Sequence, residues 1–227
     1  MKLILFDVDG TLIKGSRVHY ESFLFAMNKV FGINDDKLGT PPGSTDKFDI
    51  LEIGKRNGVE KSEIENNLKK IYNFMIKYFE ENVNSDEKLM LNLGVKELLE
   101  KLNKEKNYIV GLLTGNIEQI AWLKMKKLGI YHYFKLGAFG GVTHIRSELV
   151  PIAIRKAKEK FKTKIRKEDV FIVGDTPNDI KCGKDNGVRT TAVCTGQYTR
   201  EELEKYQPDY IFDDLTNTDE FLETINQ

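Results

Sequence analysis

Short apolar runs alternate with longer amphipathic stretches along this chain. LILF (3–6), YIVGLL (108–113), FKLGAF (134–139), VFIV (170–173), TTAVC (190–194) and YIF (210–212) are apolar or β-branched and too short for helices. Helix start and stop signals lie between them. Strands interleaved with helices mark an α/β domain, and continuous apolar runs suit strands buried on both faces. The predicted core is a Rossmann-like, doubly wound parallel sheet.

The alternation has one wide gap. Between about residues 14 and 92 only helical periodicity appears. Phe23, Ala26, Met27 and Val30 line one face of a helix that Gly32 would end, and a second helix runs from Asp46 to Asn57 and stops at Gly58. A third opens on the capping-box pattern Ser62-Glu-Ile-Glu65 and continues through Leu68, Ile71, Met75 and Phe79, with Tyr72, Phe74 and Tyr78 also spaced like helix core. Residues 15–92 are therefore expected to form an α-helical cap inserted into an α/β core of residues 1–14 and 93–227, with hinges near 14–17 and 84–93. Further helices are predicted at 95–102, 117–128 and 147–161, the last with Ser147 at its N-cap and Pro151 in its first turn. Thr199-Arg-Glu-Glu202 carries another capping-box signature.

Ligands of open α/β sheets bind beyond the carboxyl ends of the strands, so the residues just after each run are the candidates for chemistry. The first run ends in Asp7, Asp9, Gly10 and Thr11, the second in Thr114, Gly115 and Asn116, and the fourth in Asp175 and Asp179. Acidic side chains converging without histidine or cysteine make a hard oxygen site, which favours Mg²⁺. Taken singly, the acid pair would also suit a solvated turn and Thr-Gly-Asn an ordinary helix cap.

Composition narrows the partners. The 227 residues carry 35 basic and 35 acidic side chains, so no global field recruits nucleic acid or an anionic membrane, and the expected partner is small. The longest N-terminal apolar stretch is LILF, far short of a signal-peptide core or a membrane span, and a cytoplasmic location is expected. Cys182 and Cys194 lack the spacing of a zinc site or disulfide framework and are read as structural thiols. The lysine-rich tract at 156–169 is read as a solvated helix face.

DVDGTL (7–12), LLTGN (112–116) and GDTPND (174–179) resemble the first, second and fourth motifs of the haloacid dehalogenase-like hydrolase superfamily. Their order is similar to the phosphoglycolate phosphatase-like branch, whose helical cap lies between the first two motifs; GSTD (43–46) resembles a cap element of such enzymes. The resemblance implies a Mg²⁺-dependent phosphatase acting on a small phosphorylated metabolite, as a monomer or weak dimer, through an aspartyl-phosphate. Asp7 would be the nucleophile and Asp9 the general acid–base. The metal would sit on Asp7, the Asp9 backbone carbonyl and Asp175, assisted by Asp179. Thr114, Gly115 and Asn116 would hold the phosphoryl oxygens. The family's third motif is a lysine commonly followed by proline, which this chain lacks. Arg146 is the expected substitute, ahead of Lys156 or Lys167, because a guanidinium forks onto phosphate and stays charged. His144 is read as lining its loop. Thr45, Asp46 and His19, with Arg17 and Tyr20, are candidates for substrate selection, Thr45 and Asp46 equally for capping the helix that follows. Rival readings are a β-phosphoglucomutase-like isomerase, a 2-haloacid dehalogenase, against which Asp9 argues, and a non-catalytic binder.

Overall fold

Every apolar run becomes a strand. A computed structural model describes residues 1–35, 37 and 39–226. It pairs β1 (Lys2–Phe6), β2 (Tyr108–Thr114), β3 (Leu136–Phe139), β4 (Val170–Gly174), β5 (Arg189–Val193) and β6 (Tyr210–Phe212) in one sheet of order β3-β2-β1-β4-β5-β6. All five pairings are parallel. β1 is central, with Leu3 opposite both Ile109 and Val170. Strand order reverses beside it, and that switch point is where an open sheet leaves a crevice.

Among the described residues, four α-helices lie between β1 and β2 in sequence: α1 (Arg17–Phe31), α2 (Asp46–Arg56) and α3 (Lys61–Asn82), then α4 (Val95–Lys104), which leads into β2. The later connections hold α5 (Glu118–Lys127), α6 (Leu149–Phe161), α7 (Pro177–Asn186) and α8 (Arg200–Glu204), with α9 (Thr218–Asn226) closing the chain. Successive residues of β1 enter opposite layers, as a period of two requires. Ile4 and Phe6 pack with Leu98, Leu99, Ile120 and Phe221 of α4, α5 and α9. Leu3 and Leu5 pack with Leu149, Ala153, Ala157 and Cys182 of α6 and α7. The sheet is dry on both sides, which explains runs without polar alternation. Cys182 and Cys194 are free thiols. No helix among the described residues is long and apolar enough to cross a membrane.

Two helix starts differ from the sequence reading. α3 begins at Lys61 with Glu60 at its N-cap and no side-chain cap, so the Ser62 capping box does not form. The Glu60 carbonyl already accepts from the amides of Glu63 and Ile64, at 3.0 and 3.1 Å, which fixes the start upstream of Ser62. Ser147 likewise caps nothing. It lies inside a 3₁₀ turn, Arg146–Glu148, that leads into α6. The Thr199 box and Pro151 in the first turn of α6 appear as expected.

The connections leaving β1 and returning towards β2 run side by side. Ile13 bridges Leu91 in antiparallel sense, the Lys14 amide donates to the Met90 carbonyl at 2.9 Å, and the Asn92 amide donates to Leu12 at 3.0 Å. Asp86, on the returning segment, caps α1: its carboxylate accepts from the Ser16 hydroxyl at 2.6 Å and from the amides of Arg17 and Val18 at 3.2 Å. Gly94 then starts α4 at φ 76, with its Cα against the Leu215–Thr216 backbone.

Gly94→Ala should therefore combine left-handed strain with a backbone clash, costing at least about 2 kcal/mol and lowering the thermal midpoint by roughly 4–8 °C. Gly129→Ala, at φ 73 with nothing near its added Cβ, should lose less. Circular-dichroism melts of the two variants read the difference.

Candidate active site

Strand adjacency brings the first and fourth motifs together. β1 and β4 are neighbours, and the Asp7 amide donates to the Val173 carbonyl at 2.9 Å, so Asp7 and Asp175 leave adjacent strands side by side. Asp179 reaches back from the first turn of α7, where Thr176 is the N-cap. The Thr176 amide and hydroxyl donate to its Oδ2 at 3.1 and 2.6 Å. Carboxylate oxygens of Asp7, Asp175 and Asp179 lie within 4.8 Å of one another, and all three residues are buried.

Arg146 faces two of these three acids. Its Nη2 lies 3.0 Å from Asp7 Oδ1 and 2.5 Å from Asp179 Oδ1, while Nη1 donates to the Gly43 carbonyl at 3.2 Å. Its Nε is buried and has no hydrogen-bond partner among the described residues. The other candidate cations lie elsewhere: Lys156 donates to the Gly137 carbonyl, and Lys167 is exposed in the 3₁₀ turn before β4. His144 is exposed on its loop.

Three carboxylates against one guanidinium leave the cluster short of positive charge. Burial raises Asp7 above the usual carboxylate range, Arg146 pulls it back, and Asp179 and Asp9 push it up again. Asp175 is raised well above that range by burial and then by Asp179 and Asp7. Burial alone would lower Arg146, but Asp179 and Asp7 outweigh it and hold the guanidinium charged. The donor set is all oxygen, and glycine backbone packs closely against it. A Cβ at Gly10, whose φ is +85, or at Gly196 would overlap the Asp175 carboxylate. Residues Asp7, Asp175 and Asp179 could hold a hard divalent cation.

Asp9 is engaged differently. Its oxygens accept from Lys124 Nζ at 2.8 and 2.7 Å, and Oδ2 also accepts from Asn116 Nδ2 at 2.9 Å. Burial would raise its pKa, but Lys124, His19 and the hydrogen bonds reverse this and the net shift is downward. Its carboxylate is thus outside the three-acid cluster. Three polar residues pin the loop between Asp9 and Leu12: Thr11 donates to Asp175 Oδ1 at 2.8 Å, Asn92 Nδ2 donates to the carbonyls of Gly10 and Thr11, and the Thr195 hydroxyl donates to the Gly10 carbonyl at 2.6 Å. Thr114, at the end of β2, is buried and accepts the Asn116 amide at 3.3 Å, leaving its own hydroxyl proton unassigned to that bond.

The GSTD segment meets the core through glycines. Gly115 approaches the Ser44–Thr45 backbone so closely that a Cβ on it would overlap it, a Cβ on Gly140 would overlap the Gly115 backbone and the Thr45 side chain, and the Asp46 amide donates to the Gly115 carbonyl at 2.8 Å. Thr45 is the N-cap of α2, accepting the Phe48 amide. Asp46 Oδ2 accepts from the Ile117 amide at 2.7 Å and lies 3.1 Å from His19 Nε2. Both Asp46 and His19 line a cavity of about 790 Å³ that also contains Asp7, Asp9, Arg146 and Asp175 at its floor. Tyr20 lines it too; Arg17 is exposed, pairs with Glu21 and does not.

Residues 4–193 match the haloacid dehalogenase-like hydrolase family. The chain belongs to that family. The pyrophosphatase PpaX of Bacillus mycoides (strain KBAB4) is 27% identical over 98% of this chain and 97% of its own. Among solved structures, a hydrolase from Pseudomonas syringae shares the fold with a TM-score of 0.73 at 17% identity, covering 99% of both chains. A predicted phosphoglycolate phosphatase from Haemophilus somnus 129PT shares it with a TM-score of 0.68 at 24% identity, over 100% of this chain and 98% of its own. The family resemblance carried by the motifs holds.

Within this haloacid dehalogenase-like hydrolase, sequence reasoning missed Lys124, Asn92 and Asp49. Lys124 had a signal: Ile117, Ile120, Ala121 and Leu128 share its helical stripe, so the lysine stands where an apolar residue belongs. Asp49, buried in the cavity wall, accepts from Ser44 at 2.6 Å; burial raises it to about 6, with the Ser44 and Thr40 hydrogen bonds opposing.

A raised acid stabilises the fold when protonated. That contribution is complete below the unfolded value near 3.8 and is lost as pH rises through about 6. Asp49→Asn mimics the protonated form, so it should match the parent at pH 3.5 and exceed it at pH 7.5 by up to about 3 kcal/mol. Urea unfolding of both proteins at the two pH values measures the gap; an unchanged difference would remove the buried-acid account.

Proposed function

We propose that this hydrolase is a Mg²⁺-dependent phosphatase acting on a small phosphorylated metabolite. The supporting observation is the meeting of Asp7, Asp175 and Asp179 at one buried point, with Arg146 3.0 Å from Asp7 and its Nε unpartnered among the described residues. Asp7, Asp175 and the Asp9 backbone carbonyl, assisted by Asp179, would hold the ion. Bound there, Mg²⁺ supplies the positive charge that lets an anionic nucleophile approach an anionic phosphate.

The residues then divide the work. Asp7 attacks phosphorus, and the bond from phosphorus to the leaving oxygen breaks, its electron pair passing to that oxygen, which takes a proton from Asp9. Water next attacks the aspartyl-phosphate and gives its proton to Asp9. The bond between Asp7 and phosphorus breaks, freeing phosphate and restoring the carboxylate. Arg146 offsets the charge of Asp7 and donates to phosphoryl oxygens, and Thr114, Gly115 and Asn116 border the same cavity to hold the others. Residues 15–92 act as a cap that opens to admit substrate and closes to exclude water, with Thr45, Asp46 and His19 at its inner edge. The enzyme works in the cytoplasm as a monomer or weak dimer, without nucleic-acid or membrane partners.

Two substrate classes are favoured. A monoester such as phosphoglycolate follows from the motifs. A phosphoanhydride such as pyrophosphate is supported by the full-length likeness to proteins named pyrophosphatases and by the cavity, which Lys14, Lys37 and Lys88 border. A departing phosphate also needs less help from a proton, which suits an Asp9 whose pKa Lys124 and His19 lower.

Phosphate release from phosphoglycolate, pyrophosphate and sugar phosphates should require Mg²⁺ and stop with EDTA. Asp7→Asn should abolish it and Asp9→Asn should lower it by about 10²–10⁴-fold. Release unchanged in Asp7→Asn would overturn the mechanism. Conversion of a sugar 1-phosphate to its 6-phosphate without free phosphate would instead establish the mutase.

A further inference from the structure

Lys124 is the most enclosed charge described, at 0% exposure, and it does not line the cavity. Its ammonium contacts Asp9 Oδ1 at 2.8 Å, Asp9 Oδ2 at 2.7 Å, Asn116 Oδ1 at 2.8 Å and His19 Nδ1 at 3.1 Å. An apolar residue here would complete the buried stripe of α5 without the desolvation penalty of a charge, so stability alone does not account for a lysine. Every partner lies on the side of the proposed site.

An ammonium can only donate, which orders the neighbours. His19 must accept at Nδ1 and donate from Nε2 to Asp46, whose Oδ2 also accepts the Ile117 amide. Asn116 accepts from Lys124 through Oδ1 and donates to Asp9 through Nδ2, so its amide orientation is fixed as well. Donors converge on Asp9 from two directions, while its side chain keeps 31% exposure. The arrangement ties α1, α2 and the start of α5 to one carboxylate.

We propose that Lys124 is a positioning residue for Asp9: with Asn116 and His19 it sets the direction in which the Asp9 carboxylate presents its remaining valences to the cavity. The proposal rests on the phosphatase reading for what Asp9 does there, but not for the network itself. Lys124 acts through Asp9 and touches no substrate.

Lys124→Met tests it through the leaving group. The ratio kcat/KM reports events up to loss of that group; an alkoxide needs the proton from Asp9, and p-nitrophenolate does not. The variant should lower kcat/KM for an alkyl monoester by about 10–100-fold and leave p-nitrophenyl phosphate nearly unchanged, with Asp9→Asn showing the same selectivity. Equal losses for both esters would mark a merely structural lysine, and no loss for the alkyl ester would also overturn the proposal. ¹⁵N-lysine NMR of the full chain reads the network without turnover, whether or not the parent hydrolyses either ester or Lys124→Met folds. A slowly exchanging ammonium signal, absent from Lys124→Met where that variant folds, should move in Asp9→Asn and in Asn116→Ala. A signal indifferent to both changes would sink the proposal even in an active phosphatase. A signal that moves in a protein releasing no phosphate would sustain the network and sink the phosphatase.

Discussion

Asp7, Asp175 and Asp179 share one buried volume with a single guanidinium, and the structure around them is arranged to tolerate that imbalance. Buried carboxylates are costly unless donors or cations meet them. The chain supplies donors locally: Thr11 to Asp175, and Thr176 to Asp179. Glycines at 10 and 196 keep side chains away from Asp175, leaving backbone as its nearest wall. The two dry layers of the sheet hold β1 and β4 in register beneath, so the acids cannot relax apart without disturbing the core.

Among the described residues, two buried cations serve this end of the sheet, and their chemistry suits their places. Arg146 must face Asp7, Asp179 and the Gly43 carbonyl at once, which a planar fork does and an ammonium does not. Lys124 is a compact charge at the centre of acceptors that surround it in three dimensions, which an ammonium fits.

The strands were legible because burial on both faces demands apolar runs, and the helices between β1 and β2 because their periodicity is unbroken. Asp7 and Thr114 stood out as candidates because each directly follows such a run, and Asp9 and Asp175 because they lie within three residues of one. Ser62 and Ser147 misled because a capping pattern is local, whereas the backbone starts α3 at Glu60 and puts a 3₁₀ turn before α6. Lys124 defeated hydropathy from the other side: its partners Asp9 and His19 are more than a hundred residues away, and only folding reveals why a charge sits on an apolar stripe.

The cap of α1 is shared with a distant part of the chain. Asp86 accepts the amides of Arg17 and Val18, and Ser16, the N-cap, accepts the His19 amide while donating its hydroxyl to Asp86. Separating the outgoing and returning segments would strip hydrogen-bond acceptors from the opening turn of α1. Any swing of α1, α2 and α3 would therefore carry residues 16–18 and 86 as one unit, pivoting on the paired backbone at 12–14 and 90–92 rather than bending within the helix.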